Sequence, residues 1–216
     1  MKTKAISLLL ALCGAFSLAQ AQAVQGNPAE GAKKNAMCIG CHGIPGYQAS
    51  FPQIYKVPMI SGQNAKYIVA ALTEYRQGER KHPSMRSVAG SLSDQDIADL
   101  AAYYAAHGLG AGPAVPAQAE LPAELKTKMA ACTACHGLNF NTTTDAANPR
   151  LAGQHADYLY NALRAYQTEG QTLIGRGNAT MVGMAKTLSE GEVRQIAAYL
   201  AGLPGELKTI PQSKFR

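Results

Sequence analysis

The chain is written twice. The segment CIGCHG at 38–43 returns as CTACHG at 132–137, and PMISGQNAKYIVAALTEY at 58–75 returns as PRLAGQHADYLYNALRAY at 149–166. MRSVAGSLSDQDIADLAAYY at 85–104 returns as MVGMAKTLSEGEVRQIAAYL at 181–200. Three matched segments in one order mean that a single small fold has been duplicated. Between the copies, GLGAGPAVPAQAE at 108–120 is rich in Gly, Pro and Ala and reads as a connector. The organisation expected is a first domain over 24–110, a linker over 111–120 and a second domain over 121–216.

Each copy reads as helices. Asn27-Pro28-Ala29-Glu30 supplies an N-cap, a proline at the first helical position and an acid in the first turn. That helix is expected to run into the first cysteine motif. Tyr67, Ile68, Ala71, Leu72 and Tyr75 form an apolar stripe at helical spacing, repeated by Tyr158, Leu159, Ala162, Leu163 and Tyr166. Ser93 with Asp96, and Ser189 with Glu192, have the spacing of capping boxes. The buried faces behind them are Ile97, Leu100, Ala101 and Tyr104 in one copy and Val193, Ile196, Ala197 and Leu200 in the other. Gly108 and Gly202 stand where helix stops are expected. No segment alternates like a strand, so the class is all-α.

The first 23 residues have Lys2 and Lys4, an apolar run from Ala5 to Leu18 and small residues ending Ala21-Gln22-Ala23. This is the pattern of a cleaved secretory signal, and it points to the periplasm. Cys13 is discarded with it. Removing Lys2 and Lys4 takes the formal charge from +6 to +4. Export and the lack of a basic run with interleaved aromatics argue against nucleic acid as a partner.

Four cysteines remain, Cys38, Cys41, Cys132 and Cys135, in two C-x-x-C pairs, each followed directly by a histidine, His42 and His136. C-x-x-C-H is the attachment signature of haem c: the thiols add to the porphyrin vinyl groups and the histidine reaches the iron from the same side. A four-cysteine zinc site would use the same thiols, but each pair opens its own domain. A thioredoxin-like motif would need a βαβ context that is missing here. Small domains with 4 Phe, 10 Tyr and no Trp in the whole chain are short of core material, which two haems would supply. For the sixth iron ligand, Met85 and Met181 hold equivalent places, each seven residues before the leucine of an LS pair. Met59 and Met184 are the fallbacks, and their counterparts, Arg150 and Val88, are not methionine. Met37, Met59, Met129 and Met184 read as fillers of core gaps. His82, His107 and His155 are not duplicated and read as surface or structural residues.

With the paired C-x-x-C-H, the G-Q-x-x-x-Y helix start, the distal methionine and the LS…AAY helix in hand, the chain resembles the dihaem cytochrome c4 family over nearly all of its exported length. The resemblance implies two tandem class I cytochrome c domains related by pseudo-twofold symmetry, with the haems near their interface. It also implies that the carbonyls of Pro58 and Pro149 accept the Nδ1 protons of His42 and His136. The first copy departs from the pattern in a longer segment between His42 and Pro58 and in Ile60, where the second copy has Leu151.

Histidine–methionine ligation leaves no open coordination position and raises the haem potential. The function expected is therefore outer-sphere electron transfer and not catalysis, and the resemblance implies that it runs in the periplasm toward a terminal oxidase. Loose association with a membrane is compatible with that role. The alternative is the haem subunit of a periplasmic dehydrogenase, such as a flavocytochrome oxidising sulfide. A dihaem peroxidase would need one accessible distal site, against which the duplicated methionines argue.

Overall fold

The computed structural model describes residues 24–110, 114–168 and 171–212. The signal expected over 1–23 lies outside the described residues, as do residues 111–113 of the linker.

Chain entry follows the capping chemistry. Asn27 Oδ1 accepts from Ala29 N at 2.9 Å and caps α1 (Pro28–Lys34). The helix does not run unbroken into the cysteine motif. It stops at Asn35, whose backbone (φ −79°, ψ 4°) separates it from α2 (Ala36–His42). Asn35 is fully buried, and its side-chain amide donates to Gln212 at 2.8 Å, a contact that no local pattern encodes. The second copy keeps one continuous helix here, α6 (Ala123–His136).

The two middle helices are α3 (Ala65–Gln77) and α7 (Ala156–Tyr166). Short helices α4 (Pro83–Gly90) and α8 (Ala179–Lys186) pack against them. Both final helices, α5 (Asp94–Ala106) and α9 (Glu190–Gly202), start with complete capping boxes at Ser93/Asp96 and Ser189/Glu192. Gly108 follows α5 with φ +80°, a left-handed turn suited to glycine. Gly202 is the last residue of α9 and Leu203 takes the cap, so the expected stop lies one residue further on.

In the first domain Ile68, Leu100, Ala101 and Tyr104 pack together with Cys38, Ile60 and Leu72 at their edge. In the second, Leu125, Met129, Phe140, Leu159, Ile196 and Leu200 form the centre. Met129 fills a core gap as expected, but Met37 and Met184 are 54% and 43% exposed and do not.

Among the described residues, four two-residue strands qualify the all-α description without changing it. β1 (Gln48–Ala49) and β2 (Tyr55–Lys56) pair antiparallel inside the longer first-copy segment before Pro58. β3 (Arg80–Lys81) pairs with β4 (Gly175–Arg176), joining one domain to the other with Arg80 opposite Arg176.

The connecting segments also cross between domains. The linker lies against the second domain: Ala119 N–H donates to Leu138 O at 3.0 Å, and Tyr199 Oη donates to Glu120 O at 2.9 Å. The chain after α9 returns to the first domain, where Lys208 N–H donates to Ser61 O at 3.0 Å and Gln212 meets Asn35. Among the described residues, no helix is long and apolar enough to cross a membrane.

Candidate functional site

Each C-x-x-C-H motif closes a helix. A spacing of three places both thiols on one face of the last turn, with the histidine at its end. None of the four motif cysteines forms a disulfide: Cys38, Cys41 and Cys132 are half-buried and Cys135 is exposed. Burial pushes the Cys38 thiol up, while the Tyr104 hydroxyl beside it opposes the rise. Burial likewise raises Cys132. The two pairs stay in separate domains, and among the described residues no three His, Cys, Asp or Glu side chains gather as metal ligands. A four-cysteine zinc site shared between the motifs therefore does not form.

The two imidazoles have matching environments. His42 Nδ1 lies 2.8 Å from Pro58 O, and His136 Nδ1 lies 2.9 Å from Pro149 O. A carbonyl can only accept, so Nδ1 carries the proton in each ring and Nε2 keeps its lone pair for a metal. Burial pushes both imidazoles below the ordinary value of 6.5, against the opposing pull of the proline carbonyls. Both rings are neutral at neutral pH, the form a ligand requires.

Met85 and Met181 are each the third residue of their helix, α4 and α8, and each is half-buried. Their N–H groups are capped alike, Met85 by His82 Nδ1 at 3.4 Å and Met181 by Asn178 Oδ1 at 3.1 Å. The fallback Met59 has both main-chain groups engaged with Gln154 of the other domain. His82, His107 and His155 have structural places. His82 caps α4, His107 bonds Ser61 Oγ at 3.0 Å and stacks on Tyr103, and His155 precedes α7.

Between the domains lies a cationic cluster that the sequence did not reveal. Arg80 is 4% exposed, and its guanidinium donates to the hydroxyls of Tyr67 and Tyr158, both at 2.9 Å. It also sits 4.7 Å from the centre of the Tyr75 ring. Arg176 donates to the same Tyr158 hydroxyl at 3.1 Å and lies over Tyr166 at 5.3 Å. Among the described residues neither arginine makes an ion pair, and Arg80 Nε is buried without a partner. Burial alone would raise the Tyr158 phenol, but the two guanidiniums outweigh it and bring it down to about 8. The cluster is therefore strongly electropositive and short of an anion. Haem carries two carboxylates, so free thiols, Nε2 lone pairs and this unpaired arginine fit that cofactor. Arg80 and Arg176 each stand five residues before the repeated methionine, Met85 or Met181, so the pair does recur, but it falls outside the three matched segments.

The cytochrome c family model matches twice, over residues 28–106 and 124–204. Cytochrome c4 of Azotobacter vinelandii is 34% identical over 215 residues, covering 93% of this chain and 99% of that protein. The thiosulfate dehydrogenase electron acceptor of Stutzerimonas stutzeri (strain A1501) is 33% identical, covering 85% of this chain and 88% of that protein. The solved Acidithiobacillus ferrooxidans cytochrome c4 superposes with a TM-score of 0.58 at 28% identity, covering 78% of this chain and 99% of that one. The chain belongs to the cytochrome c family, in its tandem cytochrome c4 branch. It is a dihaem electron-transfer protein with two covalently bound haem c groups.

Proposed function

We propose that this cytochrome c4 family member works in the periplasm, passing electrons by outer-sphere transfer toward a terminal oxidase. Cys38 and Cys41 anchor the first haem and Cys132 and Cys135 the second. His42 and His136 are the proximal ligands, and Met85 and Met181 complete the coordination. The observation that carries this reading is the duplicated pair of imidazole–carbonyl bonds, His42 to Pro58 and His136 to Pro149, which leaves one neutral Nε2 per domain.

The haem iron supplies a one-electron couple without bond making. The chain does the rest. The Pro58 and Pro149 carbonyls hold the proton at Nδ1 and fix ring orientation. The thioethers of Met85 and Met181 exclude oxygen and peroxide and favour the reduced state. Arg80 and Arg176, held by Tyr67 and Tyr158, would supply positive charge for the cofactor carboxylates. The secretory pattern of residues 1–23 supports the periplasm.

A second reading has the chain serve as the electron acceptor of a periplasmic dehydrogenase, and the similarity to a thiosulfate dehydrogenase electron acceptor favours it. Native purification followed by turnover with membranes separates the two. A free carrier purifies alone and is oxidised rapidly by oxidase-containing membranes. Stoichiometric co-purification with a dehydrogenase would overturn the free-carrier reading.

A further inference from the structure

The carbonyl that accepts from His42 belongs to a peptide group whose nitrogen is that of Met59. That N–H donates to Gln154 Oε1 at 3.0 Å, and Gln154 Nε2 returns a bond to Met59 O at 2.9 Å. The same arrangement runs in the opposite direction. The carbonyl of Pro149 meets His136, the adjoining Arg150 N–H donates to Gln63 Oε1 at 2.8 Å, and Gln63 Nε2 donates to Arg150 O at 3.0 Å. Each glutamine thus sits in the domain opposite the histidine it backs.

The geometry is fixed from several sides. Gln63 and Gln154 are 5% and 3% exposed. Their Oε1 atoms also accept the next residues' N–H groups, Asn64 at 2.9 Å and His155 at 3.0 Å. Each follows a glycine with positive φ, Gly62 at +82° and Gly153 at +76°. The glycine N–H groups are tied to Tyr104 O at 2.8 Å and Leu200 O at 2.9 Å, in the closing helix of the glutamine's own domain. A side chain at either glycine would strain the turn that aims the amide across the interface.

Hydrogen bonds in series polarise one another, by about 10–30% per bond. A peptide whose N–H is engaged presents a stronger carbonyl acceptor. A stronger acceptor at Nδ1–H makes a metal-bound imidazole more basic, and a more basic ligand favours the oxidised iron.

We propose that Gln154 and Gln63 are positioning residues that set, across the interface, the donor strength of His42 and His136 respectively. Each domain thereby tunes the haem of the other. This rests on the reading that His42 and His136 are iron ligands. The competing description is a simple bolt between domains, whose loss would expose both haems alike.

The test uses the dihaem holoprotein, with each haem's potential followed through its own NMR resonances during redox titration. Gln154→Met removes the acceptor while keeping an unbranched side chain. It should raise the potential of the first-domain haem, changing its oxidised-to-reduced ratio at fixed potential about threefold, ~30 mV at 59 mV per tenfold for one electron. The His42 Nδ1–H resonance should move upfield as its bond weakens, with the second haem and His136 little changed. Gln63→Met should do the reverse. Gln154→Glu keeps an acceptor and strengthens it, so the first haem alone should move down. That variant carries the test if Gln154→Met does not fold. Equal shifts at both haems, a shift confined to the glutamine's own domain, or no shift would overturn the proposal. Ligation itself is read separately in the reduced parent protein. Missing ring-current-shifted imidazole protons would sink the ligand assignment, whereas their presence without selective shifts would sink only the cross-domain tuning.

Discussion

The helix crossing that presents the first cysteine motif depends on the absence of one side chain. A Cβ at Gly31 would lie 2.1 Å from Asp99 O, 2.7 Å from Asp99 C and 2.7 Å from the Tyr103 Cβ. The obstacle is the main chain of α5, which cannot swing aside, so Gly31→Ala requires α1 and α5 to separate by about 0.9 Å to reach the 3.0 Å below which Cβ contacts are essentially absent. A gap of that order forfeits a quarter to a half of the contact attraction along the crossing. Forced overpacking costs ~1–3 kcal/mol, and a rigid backbone obstacle puts this site at the upper end. Against it, alanine gains about 1 kcal/mol over glycine in a helix. The net expectation is a loss of about 2 kcal/mol in the first domain. With a urea slope near 1 kcal/mol/M for a domain of this size, the midpoint should fall by ~2 M. Urea titration of the holoprotein, with amide resonances of α1 and α5 followed separately from those of α9, reads this directly. A midpoint that stays or rises would mean that helix propensity wins and that the two backbones are not in contact. The equivalent position in the second copy is Leu125, 3% exposed, so the same close crossing is not used there.

Met85→Ala and Met181→Ala should each remove the near-infrared thioether-to-iron band of one haem, admit cyanide there, and lower its potential by on the order of 100 mV, a fraction of the ~0.8 V that axial ligation spans. An unchanged first-haem spectrum in Met85→Ala would refute that ligand. Acid should loosen the cap of α9. Lys128, together with the N–H and hydroxyl of Ser189, holds the Glu192 carboxyl down from 4.5 to about 2. Its folded value lies below its unfolded one, so its contribution is complete above pH 4.5 and is lost as pH falls toward 2. Glu192→Gln should flatten the decline of melting temperature across that window, and an identical decline in both proteins would refute the assignment.

What the sequence disclosed follows from what is local or repeated. The capping boxes at Ser93 and Ser189, the stripe through Ile68 and the two C-x-x-C-H motifs all rest on spacings of a few residues, and duplication made each visible twice. The break at Asn35 was hidden because a partner of its buried amide, Gln212, lies at the far end of the chain. Gln63 and Gln154 were visible as repeated letters, but their partners are main-chain groups of the other domain, which carry no residue signature. Arg80 and Arg176 recur five residues before Met85 and Met181 but lie outside the matched segments, and their role shows only where β3 and β4 bring them face to face.

The central claim is that two histidine–methionine haems carry electrons through this chain. A spectroelectrochemical titration of the holoprotein tests it most directly. The account predicts two one-electron waves, both at high potential, with the thioether band of each haem bleaching in step with its own reduction. A single wave, or a second wave at low potential from a haem that lacks this band, would contradict it.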